Sequence, residues 1–428
     1  MAHTRIGVHE RLPMAQMIPL GLQHLFAMFG ATVLVPLLVN SGTGMMVIPP
    51  GVALLTAGLG TLLFLAITRF KVPAYLGSSF AFIAPLIAVA TEFGPGYALG
   101  GAVAVGVLYV AVALVISFIG VDWLDRLLPP VVIGSVIVVI GLGLASTGVQ
   151  MAGLSGGNVS LANVNVRISL FTLVVTILSS VLLKGFFAVI PILIGIIAGY
   201  IFALLQGAVD LSPVREAAWF ALPAGQRVAF SWPAIATILP VALVTIAEHL
   251  GDVLVLSKVV DRDFYRDPGL HRTILGDGLA TLLAGLLGGP PNTTYGENIG
   301  VMAITGVYSV RVIATAAVMA VILSFVQKIG VLIQTIPEPV MGGITIMLFG
   351  VIASSGIRTL VESGIDFGDK RNLMISSVIL VLGIGGAQLQ LGRITLAGMA
   401  LATIAGILLN LVLPTDVDSP AKVGEPGQ

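Results

Sequence analysis

The chain has 428 residues, 57% of them hydrophobic and only 9% charged, with a mean hydropathy of +1.08. Soluble domains carry about 25% charged residues, so this composition excludes an ordinary globular protein. Twenty Lys and Arg balance twenty Asp and Glu with no basic cluster, which argues against a nucleic-acid partner, and the lack of Cys removes disulfides and thiolate metal sites.

Fourteen apolar segments follow one another, at about residues 14–39, 48–68, 73–90, 97–119, 130–148, 168–184, 186–206, 233–258, 272–288, 292–304, 309–327, 334–356, 372–388 and 396–413. A spanning helix needs about 20 mostly apolar residues. The predicted fold is therefore an all-α polytopic membrane protein with fourteen transmembrane segments in the lipid bilayer. The start, MAHTRIGVHERLPMAQ, lacks the layout of a removable signal peptide. Gly is frequent, 52 of 428, as expected where helices pack closely in lipid. With the N-terminus inside, fifteen of the twenty Lys and Arg, including Lys422, fall on the cytoplasmic side. Arg167, Arg215, Arg227, Lys328 and Arg393 fall outside. That asymmetry follows the positive-inside rule and predicts an even span count with both termini cytoplasmic.

Segments three and ten differ from the rest. Segment three contains VPAYLGSSFAFIAP (Val72–Pro85) and segment ten PPNTTYGENIGVMA (Pro290–Ala303). Each is short, opens on Pro, and carries a Tyr followed by Gly and small polar residues. Pro73 and Pro291 are 218 residues apart, Tyr75 and Tyr295 are 220 apart, and His24 and His249 of segments one and eight are 225 apart. The near-constant offset predicts two halves of seven spans each. An odd number of spans per half makes the repeat inverted. Paired broken helices in an inverted repeat point to a transporter site at the midplane.

Glu248 and Glu297 lie deep in apolar segments, where a carboxylate costs about 2.5–3.5 kcal/mol on insertion scales. Glu248 and Asp252 are i, i+4 on one helix and share a face. His249 lies about 100° round that helix and suits packing or an interhelical hydrogen bond. Glu297 follows Gly296 at the start of an apolar half-helix, whose first N–H groups lack intrahelical partners. Ser78, Ser79 and Phe80 occupy the matching place in segment three. Two such starts would present backbone donors to one cavity, with Glu248 and Glu297 as acceptors. Phe80, Phe82 and Tyr295 offer aromatic faces, each as suited to a core as to a ligand. No Lys or Arg lies in the deep parts of these segments, so a neutral, planar, polar solute fits better than an anion. A carboxylate in such a site can couple protonation to binding, which makes the proton the expected coupling ion, with no other cofactor.

At these residues the chain resembles the nucleobase–ascorbate transporter family, or nucleobase:cation symporters type 2, and within it the bacterial uracil:proton symporters. The family signature is Gln/Glu/Pro, Asn, any, Gly, four of any kind, Thr, then Arg/Lys/Gly. Glu297-Asn298-Ile299-Gly300-Val301-Met302-Ala303-Ile304-Thr305-Gly306 matches it at every fixed position. The runs QHLFAMFGATVLVP (Gln23–Pro36), PAYLGSSFAFI (Pro73–Ile83), DPGLHR (Asp267–Arg272) and PVMGG (Pro339–Gly343) extend the likeness over nearly the whole chain.

The resemblance implies fourteen spans in two inverted seven-span repeats, with short β-strands and half-helices in spans 3 and 10. It implies a core domain at 14–119 and 233–327 (spans 1–4 and 8–11) and a gate domain at 120–206 and 334–413 (spans 5–7 and 12–14). It implies uracil bound by Glu248 and Glu297, with backbone at Phe80 and Gly296 and with Tyr295 nearby, and a homodimer formed through the gate domains in the cell inner membrane. The family's uracil branch carries His four residues after the span-eight Glu, where it is tied to proton coupling; here that position is Asp252. Asp252, Glu248, Glu297 and His24 are therefore the expected proton-coupling residues. The rival expectations are the same fold carrying xanthine, urate or another pyrimidine, and a channel or anion exchanger of related design. An intramembrane metalloenzyme is disfavoured, since the chain has no HExxH and no Cys.

Overall fold

The computed structural model describes residues 5–156, 159–392 and 394–414. Arg393 and Lys422, used above for the loop-charge asymmetry, lie outside the described residues. The chain is mostly helical. Its first part runs α1 (Met14–Thr43), α2 (Pro50–Ile67), β1 (Leu76–Ser78), a 3-10 turn (Phe80–Phe82), α3 (Ile83–Phe93), α4 (Pro95–Ile119), α5 (Asp122–Leu127), α6 (Pro130–Gly143), α7 (Ala145–Met151), α8 (Val164–Leu182), α9 (Pro191–Leu205) and α10 (Ser212–Glu216). The rest runs α11 (Trp232–Ile238), α12 (Val241–Val260), α13 (Leu270–Leu286), β2 (Asn292–Thr294), α14 (Gly296–Thr305), α15 (Val310–Ser324), α16 (Gln327–Gln334), α17 (Glu338–Glu362), α18 (Lys370–Ile384), β3 (Gln388–Leu391), β4 (Ile394–Ala397) and α19 (Gly398–Val412).

Among the described residues, seven helical stretches are long and apolar enough to cross a membrane by length and composition. Four shorter apolar stretches accompany them: Phe80–Phe93, Pro191–Leu205, Val310–Ser324 and Gly398–Val412. Some predicted segments are subdivided. Segment 130–148 is broken at Leu144, between α6 and α7, and segment 233–258 at Leu239–Pro240, between α11 and α12. Pro240 has no amide to donate, which explains the second break. The β3–β4 hairpin falls across the end of segment 372–388 and the start of 396–413, where apolar composition alone suggested helix.

The helices pack in two groups. α4 lies along α13, α2 along α13 and α15, and α1 along α15. Elsewhere α6 lies along α17 and α18, α8 along α9 and α17, and α18 along α19. Small residues set the closest approach. A Cβ on Gly106 of α4 would sit 2.5 Å from the backbone of Leu282 in α13, so only Gly fits there.

The two broken segments meet at their strands. β1 and β2 pair antiparallel, with Leu76 opposite Thr294, Gly77 opposite Thr293 and Ser78 opposite Asn292. The ladder continues at both ends, where the Tyr295 amide donates to the Tyr75 carbonyl (2.9 Å) and the Ser79 amide to the Pro291 carbonyl (3.0 Å). Each strand is held at its first residue by a buried threonine. Thr61 accepts from the Leu76 amide (2.9 Å) and donates to its carbonyl (3.2 Å); Thr281 does the same for Asn292 (3.1 and 3.2 Å). A backbone with no water to turn to is thus satisfied by protein alone. Gly77 is required at the crossing, because a Cβ there would lie 2.5 Å from the Tyr295 ring.

The segment before α1 also braces this region. The Ile6 amide donates to Gly306 (2.9 Å), and Tyr308 and Val310 donate back to Ile6 and Val8 (2.9 and 3.0 Å). That strap fixes the turn where α14 ends. Thr281→Val keeps the side-chain shape but leaves the Asn292 amide without its partner, a loss of about 1–3 kcal/mol. The expected result is a lower thermal midpoint in detergent, with Thr281→Ser close to the parent.

Candidate functional site

Each strand feeds directly into a helix start. Ser79 is extended (φ −80°, ψ 127°) before the turn at Phe80, and Tyr295 is extended (φ −106°, ψ 115°) before α14 at Gly296. The antiparallel crossing brings these two starts to one cavity of about 370 Å³, lined by both Phe80 and Gly296. α12 contributes Glu248, Gly251 and Asp252 to the same cavity, and α14 contributes Glu297. The three carboxylates, separated by up to 49 residues in sequence, are thereby gathered at one place. Among the described residues, no Lys, Arg or His lines it.

The acids are held differently. Asp252 accepts a hydrogen bond from Thr294 of β2 at 2.8 Å, which ties α12 to the strand crossing. Glu297 occupies the first turn of α14, where unpaired amides favour negative charge. Opposite them α17 supplies an apolar wall of Leu348, Val351 and Ile352, with Ser355 and Thr359 farther along the helix. The chemistry on offer is carboxylate acceptors beside helix-start backbone and two aromatic rings, Phe80 and Tyr295.

The remaining expected residues fall around this cavity. Tyr295 lines it, but its hydroxyl is engaged, accepting from Thr32 (3.1 Å) and donating to the Ser78 carbonyl (3.0 Å). Phe82 is fully buried in the core and not part of the lining. The Ser79 amide, expected as a donor to the cavity, is taken by Pro291. His24 is also outside the lining; it is buried behind α14, where Asn298 lies 3.1 Å from its Nδ1 and donates to its carbonyl at 3.1 Å. It therefore meets Asn298, the residue after Glu297 in the chain, and not the cavity itself.

Sequence reasoning passed over Asp277. It is the sole acid in the apolar run Ile274–Leu286, the same kind of anomaly that drew attention to Glu248. Its carboxylate lies 3.1 Å from Nδ1 of His249, and both side chains are fully buried. His249 thus turns away from the cavity to join α12 to α13, as its position round the helix suggested. The Phe64 ring meets it edge-on at 6.3 Å, and Tyr109 donates to Thr245 (2.6 Å) one turn earlier on α12. Removing one member of a buried pair strands the other. His249→Ala is expected to cost about 3–5 kcal/mol and to lower the thermal midpoint, while His249→Phe with Asp277→Leu recovers much of it.

Comparison with known proteins matches residues 15–392 to the model of a permease family. The uracil permease of Bacillus caldolyticus is 55% identical over 416 residues, 96% of this chain and 94% of that protein. The uracil permease of Escherichia coli (strain K12) is 51% identical over 413 residues, again 96% and 94%. Among solved structures, the transmembrane domain of the cyanobacterium bicarbonate transporter BicA superposes with a TM-score of 0.62, covering 95% of this chain and all of that one. At 14% identity that likeness speaks to fold alone.

Proposed function

We propose, from the premise that the chain belongs to the permease family, that it takes up uracil together with a proton across the cell inner membrane by alternating access. It is a transporter and not an enzyme. One observation carries the reading: Glu248, Asp252 and Glu297 line a single cavity that has no cationic side chain among its described lining residues and is flanked by two helix starts. Uracil alternates N–H and C=O groups round a flat ring. Glu248 and Glu297 accept from its N–H groups, the amides at Phe80 and Gly296 donate to its carbonyls, and the Phe80 ring covers a face. Tyr295 acts by holding the crossing in shape. The names of the relatives described above support the substrate.

In this reading fourteen spans form two inverted seven-span halves. The first packing group of helices is the core domain (14–119 and 233–327) and the second is the gate domain (120–206 and 334–413), through which two copies form a homodimer. The like positions of Thr61 and Thr281, one ahead of each strand, support the repeat. Core moves against gate to open the cavity to either side, both termini being cytoplasmic. Asp252 carries the proton with Glu248 or Glu297, and its link to Thr294 transmits protonation to the strand crossing. His24 contributes through Asn298.

Proteoliposomes with an inward proton gradient are expected to accumulate labelled uracil; the absence of both uptake and binding refutes the reading. Glu297→Gln removes a charged acceptor worth about 1.5–3 kcal/mol and is expected to weaken uracil binding about ten- to hundredfold, with membrane insertion intact. Unchanged affinity rules out its ligand role. Asp252→Ala is expected to flatten the pH dependence of uptake while leaving binding at low pH; an equal loss at every pH assigns Asp252 a structural role. A second reading follows from Asp252 standing where the uracil branch has His: the cavity takes another pyrimidine, or xanthine or urate, in preference. A competition panel in one binding assay decides between them.

A further inference from the structure

The site cavity has a neighbour. A second cavity of about 580 Å³ lies beyond Phe80, against Ala84 and Glu92 of α3, Val241 of α12 and Leu144 at the α6–α7 break. The same three elements wall both spaces in sequence. Along the broken segment the lining passes from Phe80 to Ala84, along α12 from Glu248 to Val241, and along α6 from Ile137 to Leu144. Among the described residues, Ile140 alone lines both cavities. Ile137, Ile140 and Leu144 form one stripe at helical spacing, so Ile140 stands at the junction. It is only 2% exposed, so its side chain is packed tightly against its neighbours where it borders both cavities.

We propose that Ile140, with Phe80 across the site cavity from it, is the gate of one continuous route, and that its volume determines which planar solutes pass. The inference rests on the transport reading above. Three physical facts support it. A β-branched side chain on a helix is stiff at χ1, so Ile140 is a fixed plug and not a swinging arm. An apolar constriction dewets, which keeps water and free protons out of a carboxylate-lined site. Finally, α6 packs with α17 and α18, whereas Phe80 precedes α3, which packs on α1 and α4. Any sliding of one packing group past the other changes the gap between Phe80 and Ile140. The far cavity, with Glu92 at its wall, is the entrance on the side opposite Thr359.

The test compares the parent, Ile140→Ala and Ile140→Trp in proteoliposomes, with labelled uracil and labelled xanthine, alongside equilibrium uracil binding in detergent. Ile140→Trp is expected to lose uptake to a much greater extent than it weakens uracil binding. Ile140→Ala is expected to raise the xanthine-to-uracil uptake ratio about tenfold, the discrimination that a few methylene groups supply. Uptake by Ile140→Trp equal to the parent, or an unchanged ratio in Ile140→Ala, overturns the gate. Loss of binding together with uptake in Ile140→Trp, when Ile140→Ala leaves the ratio unchanged, makes Ile140 a plain wall of the site. A parent that carries no uracil refutes the transport reading itself, whatever the variants do.

Discussion

A backbone amide or carbonyl inside an apolar interior must find its partner within the protein, because no water is there to serve. The crossing of β1 and β2 is where that requirement is hardest to meet and where most of the structure converges. Two helices are interrupted there, and their freed backbone groups are taken up by each other, by Thr61 and Thr281, and by the ladder's ends at Tyr75 and Pro291. Once the crossing is satisfied in this way it is also rigid. The helix starts at Phe80 and Gly296 then have no freedom to point anywhere but at the same cavity.

The acids follow from that frame. Glu297 is placed by being the second residue of a helix whose start the crossing fixes. Asp252 is anchored to the crossing through Thr294, and Glu248 shares its face of α12. A flanking face of α12, about 100° round from Glu248, carries His249, whose contact with Asp277 joins α12 to α13. Acids lining a cavity and a buried ion pair are two solutions to one difficulty: a titratable group in an apolar setting needs either a cavity or a partner. The proposed proton coupling uses the first solution; the second gives it a fixed platform.

Much of this was legible in the residues. Glu248, Asp252 and Glu297 are energetic anomalies in apolar runs, and anomalies of that kind can be read without coordinates. The Pro–Tyr–Gly pattern shared by segments three and ten marked both breaks. The turn of His249 away from the cavity followed from helical geometry. Other features were not legible. Asp277 carried the same signal as Glu248 but gained meaning only when its partner, 28 residues earlier, was seen beside it. The donor role expected of the Ser79 amide was lost to Pro291, and Tyr295 proved to be fastened by Thr32, 263 residues away. The N-terminal strap on the 306–310 turn has no periodicity to betray it, since it is a few backbone bonds between distant loops.

Local chemistry therefore decided what the sequence could settle alone: a membrane protein, its broken segments and its buried acids, all of which depend on composition, on proline and glycine, and on the cost of charge in lipid. Tertiary structure decided the rest. Which amides remain free, which hydroxyl is already engaged, and that Ile140 lines two cavities depend on residues far apart in the chain arriving at one point. No pattern along one dimension carries that information, because each of those facts is a distance across the fold.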